Sequence, residues 1–120
     1  MLLIRYFAVM NKTILITGAT SGIGKAAAIK FAAAGFNIII TGRRNERLIA
    51  LKEKLESEFG VRILSLCFDV QDRKAVADAI AGLPANWQQI DILFNNAGLA
   101  LGKDSFEDNV YTRAKSFFEN

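Results

Sequence analysis

Residues Thr17–Ala27 read TGATSGIGKAA, a glycine-rich turn between an apolar run and an alanine-rich stretch. Loops of this kind hold phosphate on free backbone N–H groups, so the first question is which phosphate ligand the spacing allows. A triphosphate-binding P-loop needs GxxxxGK followed by Ser or Thr, whose hydroxyl holds magnesium. The fifth residue after Gly18 is Ile23, not glycine, and Lys25 is followed by Ala26. Both requirements fail, which excludes the triphosphate reading and leaves Lys25 as a solvent-facing residue of the first helical turn. Gly18, Gly22 and Gly24 form GxxxGxG rather than the common GxGxxG. The physical purpose is unchanged: a tight exit from a strand, close approach of backbone to a pyrophosphate, and a helix packed closely on a sheet.

Four short apolar runs surround this loop. Thr13–Thr17 (TILIT), Asn37–Thr41 (NIIIT), Arg62–Phe68 (RILSLCF) and Ile90–Phe94 (IDILF) read as strands. Between them lie helical patterns. One runs from Ile23 to Ala34 and is ended by Gly35. The second is capped by Asn45 and places Leu48, Leu51, Leu55 and Phe59 on one face. The third opens at Asp72, with Val76, Ala79 and Ile80 inward and Pro84 beyond its end. Strands that are apolar throughout are covered on both faces, so the sheet is predicted to be parallel. The expected architecture is α/β, a Rossmann-type doubly wound parallel sheet of about four strands and three to four helices. In such sheets ligands bind beyond the carboxyl ends of the strands, where every unusual motif of this chain falls.

The second of those motifs is Gly42-Arg43-Arg44, at the end of the second strand. An acidic residue there would bind an adenosine 2′-hydroxyl; two guanidinium forks suit a 2′-phosphate, so NADP(H) is the expected cofactor. Asp69-Val70 ends the third strand, and Asn95-Asn96-Ala97-Gly98 ends the fourth.

Composition narrows the chemistry. The 120 residues contain no histidine and one cysteine. Ser-His-Asp and Cys-His nucleophiles are thereby excluded, and no metal site is expected. Cys67, in an apolar run, is expected to be a buried, inert thiol, and a reducing, cytoplasmic location is the natural expectation. Residues 1–60 carry 9 Lys/Arg and 4 Asp/Glu, or +5, and residues 61–120 carry 6 and 8, or −2. A basic front half suits a polyanionic ligand, but no aromatic residues interleave with the cations, so nucleic acid is not an expected partner. The opening MLLIRYFAVM is too short to span a membrane and lacks a cleavage site. Residues 1–10 are expected to be an extension, residues 11–102 a partial dinucleotide-binding domain, and residues 103–120 a divergent tail.

Taken together, TGATSGIG, GRR, Asp69-Val70 and NNAG resemble the short-chain dehydrogenase/reductase family in order and spacing. The run LPANWQQIDILFNNAGLALG further resembles its NADP-dependent 3-hydroxy acid (serine) dehydrogenase and malonic semialdehyde reductase subgroup. The resemblance covers about Asn11 to Gly102 and implies NADP-dependent hydride transfer between an alcohol or hydroxy acid and a carbonyl. It also implies residue roles. Gly18, Thr20, Ser21, Gly22, Ile23 and Gly24 would cradle the pyrophosphate and adenosine ribose. Arg43 and Arg44 would hold the 2′-phosphate, and Asp69 would accept from the adenine amino group with the Val70 backbone alongside. Asn95, Asn96, Ala97 and Gly98 would brace the central strand and border the cofactor.

The family's catalytic serine, tyrosine and lysine lie in the half that follows. Tyr111 and Lys115 in VYTRAKSFF have the YxxxK spacing, yet only about a dozen residues separate Gly98 from Tyr111, and Ser105 falls in a polar stretch that reads as a loop. The pair is either chance or a displaced catalytic helix, and no catalytic residue is assigned. Two readings remain: a truncated NADP-dependent oxidoreductase acting on a small molecule, and an inactive NADP(H)-binding fragment. In either, the fourth strand would be a bare edge that a homo-oligomer would cover.

Overall fold

The computed structural model describes residues 12–96. Four strands, β1 (Thr13–Thr17), β2 (Asn37–Gly42), β3 (Ile63–Cys67) and β4 (Ile92–Asn95), alternate with helices α1 (Gly22–Ala33), α2 (Asn45–Phe59) and α3 (Arg73–Ala81). A single 3-10 turn, Ala85–Trp87, precedes β4. All strand pairs are parallel, in the order β3-β2-β1-β4. The doubly wound parallel sheet expected from the sequence is therefore present. The proposed extension at residues 1–10, Ala97, Gly98, Ser105, Tyr111 and Lys115 lie outside the described residues.

Why these residues form a sheet covered on both sides is visible in the alternation of side chains. Ile14 and Ile16 of β1 join Ile38 and Ile40 of β2 in a core shared with Ala28, Ala32, Leu48, Leu51 and Leu55. The intervening Leu15 and Ile39 face the other way, against Val76, Ile80, Leu83 and Trp87. Each fully buried isoleucine or leucine contributes about 1.5–3 kcal/mol of transfer free energy, so neither face can be left open. The chain accordingly winds outward from β1 to β3 with α1 and α2 on one face. It then crosses to the far side of β1 with α3 on the other. The order reverses between β1 and β4, and there a crevice opens at the carboxyl ends.

α1 meets the sheet through small residues, Gly24, Ala28 and Ala32, spaced one helical turn apart. This stripe lets the helix axis lie close to β1 and β2. α3 begins at Asp72, whose Oδ1 accepts from the Ala75 N–H at 3.1 Å, as expected of a capping residue. Asp72→Ala is expected to cost about 1 kcal/mol, read as a lower denaturation midpoint with an unchanged denaturant slope.

Three local expectations are corrected. Arg44, not Asn45, occupies the N-cap position of α2, and Asn45 is the first helical residue. Arg44 is already extended (φ −109°, ψ 101°), and its carbonyl accepts from Arg47 and Leu48, so the helix starts one residue earlier than the capping signal suggests. β4 begins at Ile92 rather than Ile90. The Asp91 carboxylate accepts the Thr13 N–H at 2.8 Å, replacing one rung of the ladder, while Ile90 turns into the core beside Trp87. Cys67 is exposed, not buried. It is the last residue of edge strand β3, and its Sγ donates to the Arg43 carbonyl at 3.5 Å. None of the described helices is long and apolar enough to cross a membrane.

Candidate functional site

The glycine turn leaves β1 at Gly18, with φ 60°, and enters α1 at Gly22, with φ 58°. Both are left-handed conformations that a Cβ would strain, which explains why the turn needs glycine at these points. Gly24 is constrained by packing instead. A Cβ there would collide with the Gly18 carbonyl oxygen and lie 2.9 Å from Asn96 Nδ2. The start of α1 is thus pressed against the end of β1.

Two asparagines hold this junction. Asn96 Nδ2 donates to the Gly18 carbonyl at 3.2 Å, and Thr17 Oγ1 donates to Asn95 Oδ1 at 2.9 Å. Thr17 and Asn95 are register partners on β1 and β4, so this bond ties the two strands at their carboxyl ends. On the other side, the Ala19 N–H donates to the Thr41 carbonyl at 3.0 Å and joins the loop to β2.

A cavity of about 480 Å³ opens beside the braced loop. Gly18, Thr20, Ser21 and Asn96 line it from the β1 and β4 side, and Arg43 and Arg44 line it from the end of β2. Asp69 and Val70 close it beyond β3. The Asp69 Oδ1 accepts the Gln71 N–H at 2.9 Å, and its Oδ2 makes no hydrogen bond among the described residues. Gly22, Ile23, Gly24 and Asn95 do not line the cavity but flank it; Ile23 is 64% exposed on the first turn of α1.

The structure also brings in residues that motif reading passed over, Arg47, Phe68 and Gln71, beside Gly42 of the GRR motif. Arg47 follows Arg44 by three positions and lies in the first turn of α2, a placement legible once the helix start is known. Phe68 closes the third apolar run, where it reads as core rather than lining.

Electrostatics at the cavity are one-sided. Arg43, Arg44 and Arg47 make no ion pair with any described residue. Neither α1 nor α2, whose N-termini adjoin the cavity, has a side-chain cap, whereas α3 caps itself with Asp72. Uncapped N–H groups and unpaired guanidiniums together favour an anion.

A parallel sheet of this order, with a glycine turn opening at its switch point, defines a Rossmann-type protein. Comparison with known proteins narrows the class. The short chain dehydrogenase family matches residues 12–119, running past Gly102, where the motifs end. Sulfoacetaldehyde reductase of Chromohalobacter salexigens is 51% identical over 96 residues, which are 80% of this chain and 37% of that protein. Serine 3-dehydrogenase of Rhizobium radiobacter is 54% identical over 93 residues, 78% of this chain and 36% of that protein. Among solved structures, L-sorbose reductase of Gluconobacter frateurii, complexed with NADPH and L-sorbose, superposes with a TM-score of 0.76 at 26% identity. That alignment covers 90% of this chain and 49% of the reductase. The chain belongs to the short-chain dehydrogenase family, a family of oxidoreductases acting on small molecules. It spans a little over a third of the length of the curated relatives it matches.

Proposed function

We propose that this chain binds NADP(H) in the cavity at the carboxyl edge of the sheet and serves hydride transfer between an alcohol or hydroxy acid and its carbonyl. The observation that carries this reading is the pairing of a glycine cradle with Arg43 and Arg44 at the end of β2, where no carboxylate stands. Backbone at Gly18, Ser21 and Gly22 would take the pyrophosphate, with Thr20 and Ile23 beside it and Gly24 keeping the helix close. The two guanidiniums would take the 2′-phosphate. The open Oδ2 of Asp69 would accept from an adenine amino group, with Val70 alongside. Asn95 and Asn96 would hold the loop rigid from behind, and Ala97 and Gly98 would continue that border. When bound, such a dinucleotide supplies a hydride donor or acceptor at its nicotinamide; the residues named here hold and orient it.

The relatives named for serine and sulfoacetaldehyde support a small polar substrate. A second copy of this chain packed along β4 is the cover expected for Ile92, which is 39% exposed there.

A second reading is a chain that holds NADP(H) without turnover; the residues that line the described cavity, Gly18, Thr20, Ser21, Arg43, Arg44 and Asp69 among them, are ones suited to holding a dinucleotide. Titration with NADPH and NADH, followed by loss of NADPH absorbance with small aldehydes or 2-oxo and 3-oxo acids, separates the readings. Tighter NADPH binding with turnover supports the first reading, and tighter binding without turnover supports the second. Equal affinity for the two nucleotides would overturn the cofactor assignment.

A further inference from the structure

Arg47 is the cation at the cavity that no family motif assigns. We infer that Arg47 is a third ligand of the 2′-phosphate and a determinant of NADP(H) specificity, acting from the first turn of α2. The inference rests on the NADP(H) reading above and adds a residue to it.

Position supplies the first argument. Arg47 is the third residue of α2, and its N–H donates to the Arg44 carbonyl at 3.1 Å. Side chains of a helix tilt toward its N-terminus, which here directs Arg47 back toward Arg43 and Arg44. It lines the 480 Å³ cavity together with both. It also borders a neighbouring concavity of about 370 Å³ between α1 and α2, shared with Thr20, Lys25 and Lys54. Arg47 therefore stands on the ridge between the cofactor cavity and a second basic hollow.

Charge supplies the second argument. The helical neighbours that could neutralise Arg47 lie three and four residues away. Toward the N-terminus these are Arg44 and Arg43, and toward the C-terminus they are Ala50 and Leu51. No carboxylate is in reach along the helix, and no ion pair with a described residue is formed. Three guanidiniums gathered at one rim repel one another. A phosphate monoester carries a charge of about −1.5 to −2 at neutral pH and three acceptor oxygens, enough to engage all three.

Arg47→Gln removes the charge from an exposed position and leaves α2 intact, since glutamine is also a good helix former. In the full chain, the expected result is a rise of about tenfold in the NADPH dissociation constant, with NADH binding changed less than about twofold. Arg47→Lys restores the charge but not the fork and should recover part of the loss. Raising the salt concentration should narrow the gap between wild type and Arg47→Gln, because the contact is solvent-facing. Lys30→Gln, which removes one charge at the far end of α1, controls for net charge and should stay within about twofold of wild type. An Arg47→Gln chain with wild-type NADPH affinity overturns the inference and leaves the NADP(H) reading standing. Equal losses for NADPH and NADH also overturn it, by showing that Arg47 only supports the pocket. A wild-type chain that does not distinguish the nucleotides overturns the underlying reading instead.

Discussion

A chain carrying Arg43→Glu and Arg44→Glu together is expected to lose at least about a hundredfold in NADPH affinity while binding NADH as well as before, or better. Each guanidinium that meets a phosphate contributes a charge-assisted hydrogen bond worth about 1.5–3 kcal/mol, so losing two corresponds to about 10²–10⁴ in the dissociation constant. Reversal adds repulsion between the new carboxylates and the phosphate dianion. A carboxylate at the end of β2 is also what a free ribose 2′-hydroxyl prefers, which is why NADH should not suffer. Both side chains are exposed, so the folded state should tolerate the change. Parallel titrations with the two nucleotides, with circular dichroism to confirm folding, read the result. Equal losses for both nucleotides would mean that the arginines organise the loop rather than select the cofactor.

The second large effect is expected at Gly24. Alanine is favoured over glycine in a helix by about 1 kcal/mol, so helix propensity alone predicts that Gly24→Ala stabilises α1. The packing predicts the reverse. The new methyl would meet the Gly18 carbonyl oxygen, a backbone atom fixed at the end of β1 and already accepting from Asn96. Neither partner can move without opening the junction between β1, α1 and β4. Overpacking of this kind costs about 1–3 kcal/mol, which outweighs the propensity gain at the upper end and displaces the loop at any value. The expected outcome is a melting temperature lower by several degrees and at least a tenfold loss of affinity for NADPH and NADH alike. This loss without discrimination distinguishes the cradle from the arginines. A more stable Gly24→Ala chain with full nucleotide affinity would show that the close contact is not needed.

How much of this was legible beforehand differs by element. Strands β1 and β2 read directly, because TILIT and NIIIT are rich in β-branched residues and buried along their length. Their parallel pairing followed from that continuity. The ends of elements were less legible, because they depend on partners far away in sequence. Asp91 takes a hydrogen bond from Thr13, and this shifts the start of β4 in a way no local propensity reports. Cys67 looked like core because its run is apolar, yet it ends an edge strand, and only the sheet order reveals that. At the site, the glycines and Arg43-Arg44 stood out through spacing. Arg47 did not, since it enters the cavity only through the helical turn that carries it back. Phe68 was hidden for the opposite reason: an aromatic residue at the end of a strand reads as packing.

The bonds that brace the glycine loop have a consequence for how the protein assembles. Thr17 to Asn95 and Gly18 to Asn96 each join residues 78 positions apart. A chain emerging from synthesis can pair β1 with β2 early, since those strands are near neighbours in sequence. The cradle, however, stays loose until β4 arrives on the far side of β1. Long-range closures of this kind pay their loop entropy before any contact returns it, and they slow folding accordingly. The cavity at the carboxyl edge is therefore expected to be among the last parts of this domain to take shape. A nucleotide that prefers the closed cradle would favour the finished fold over its partly assembled precursors.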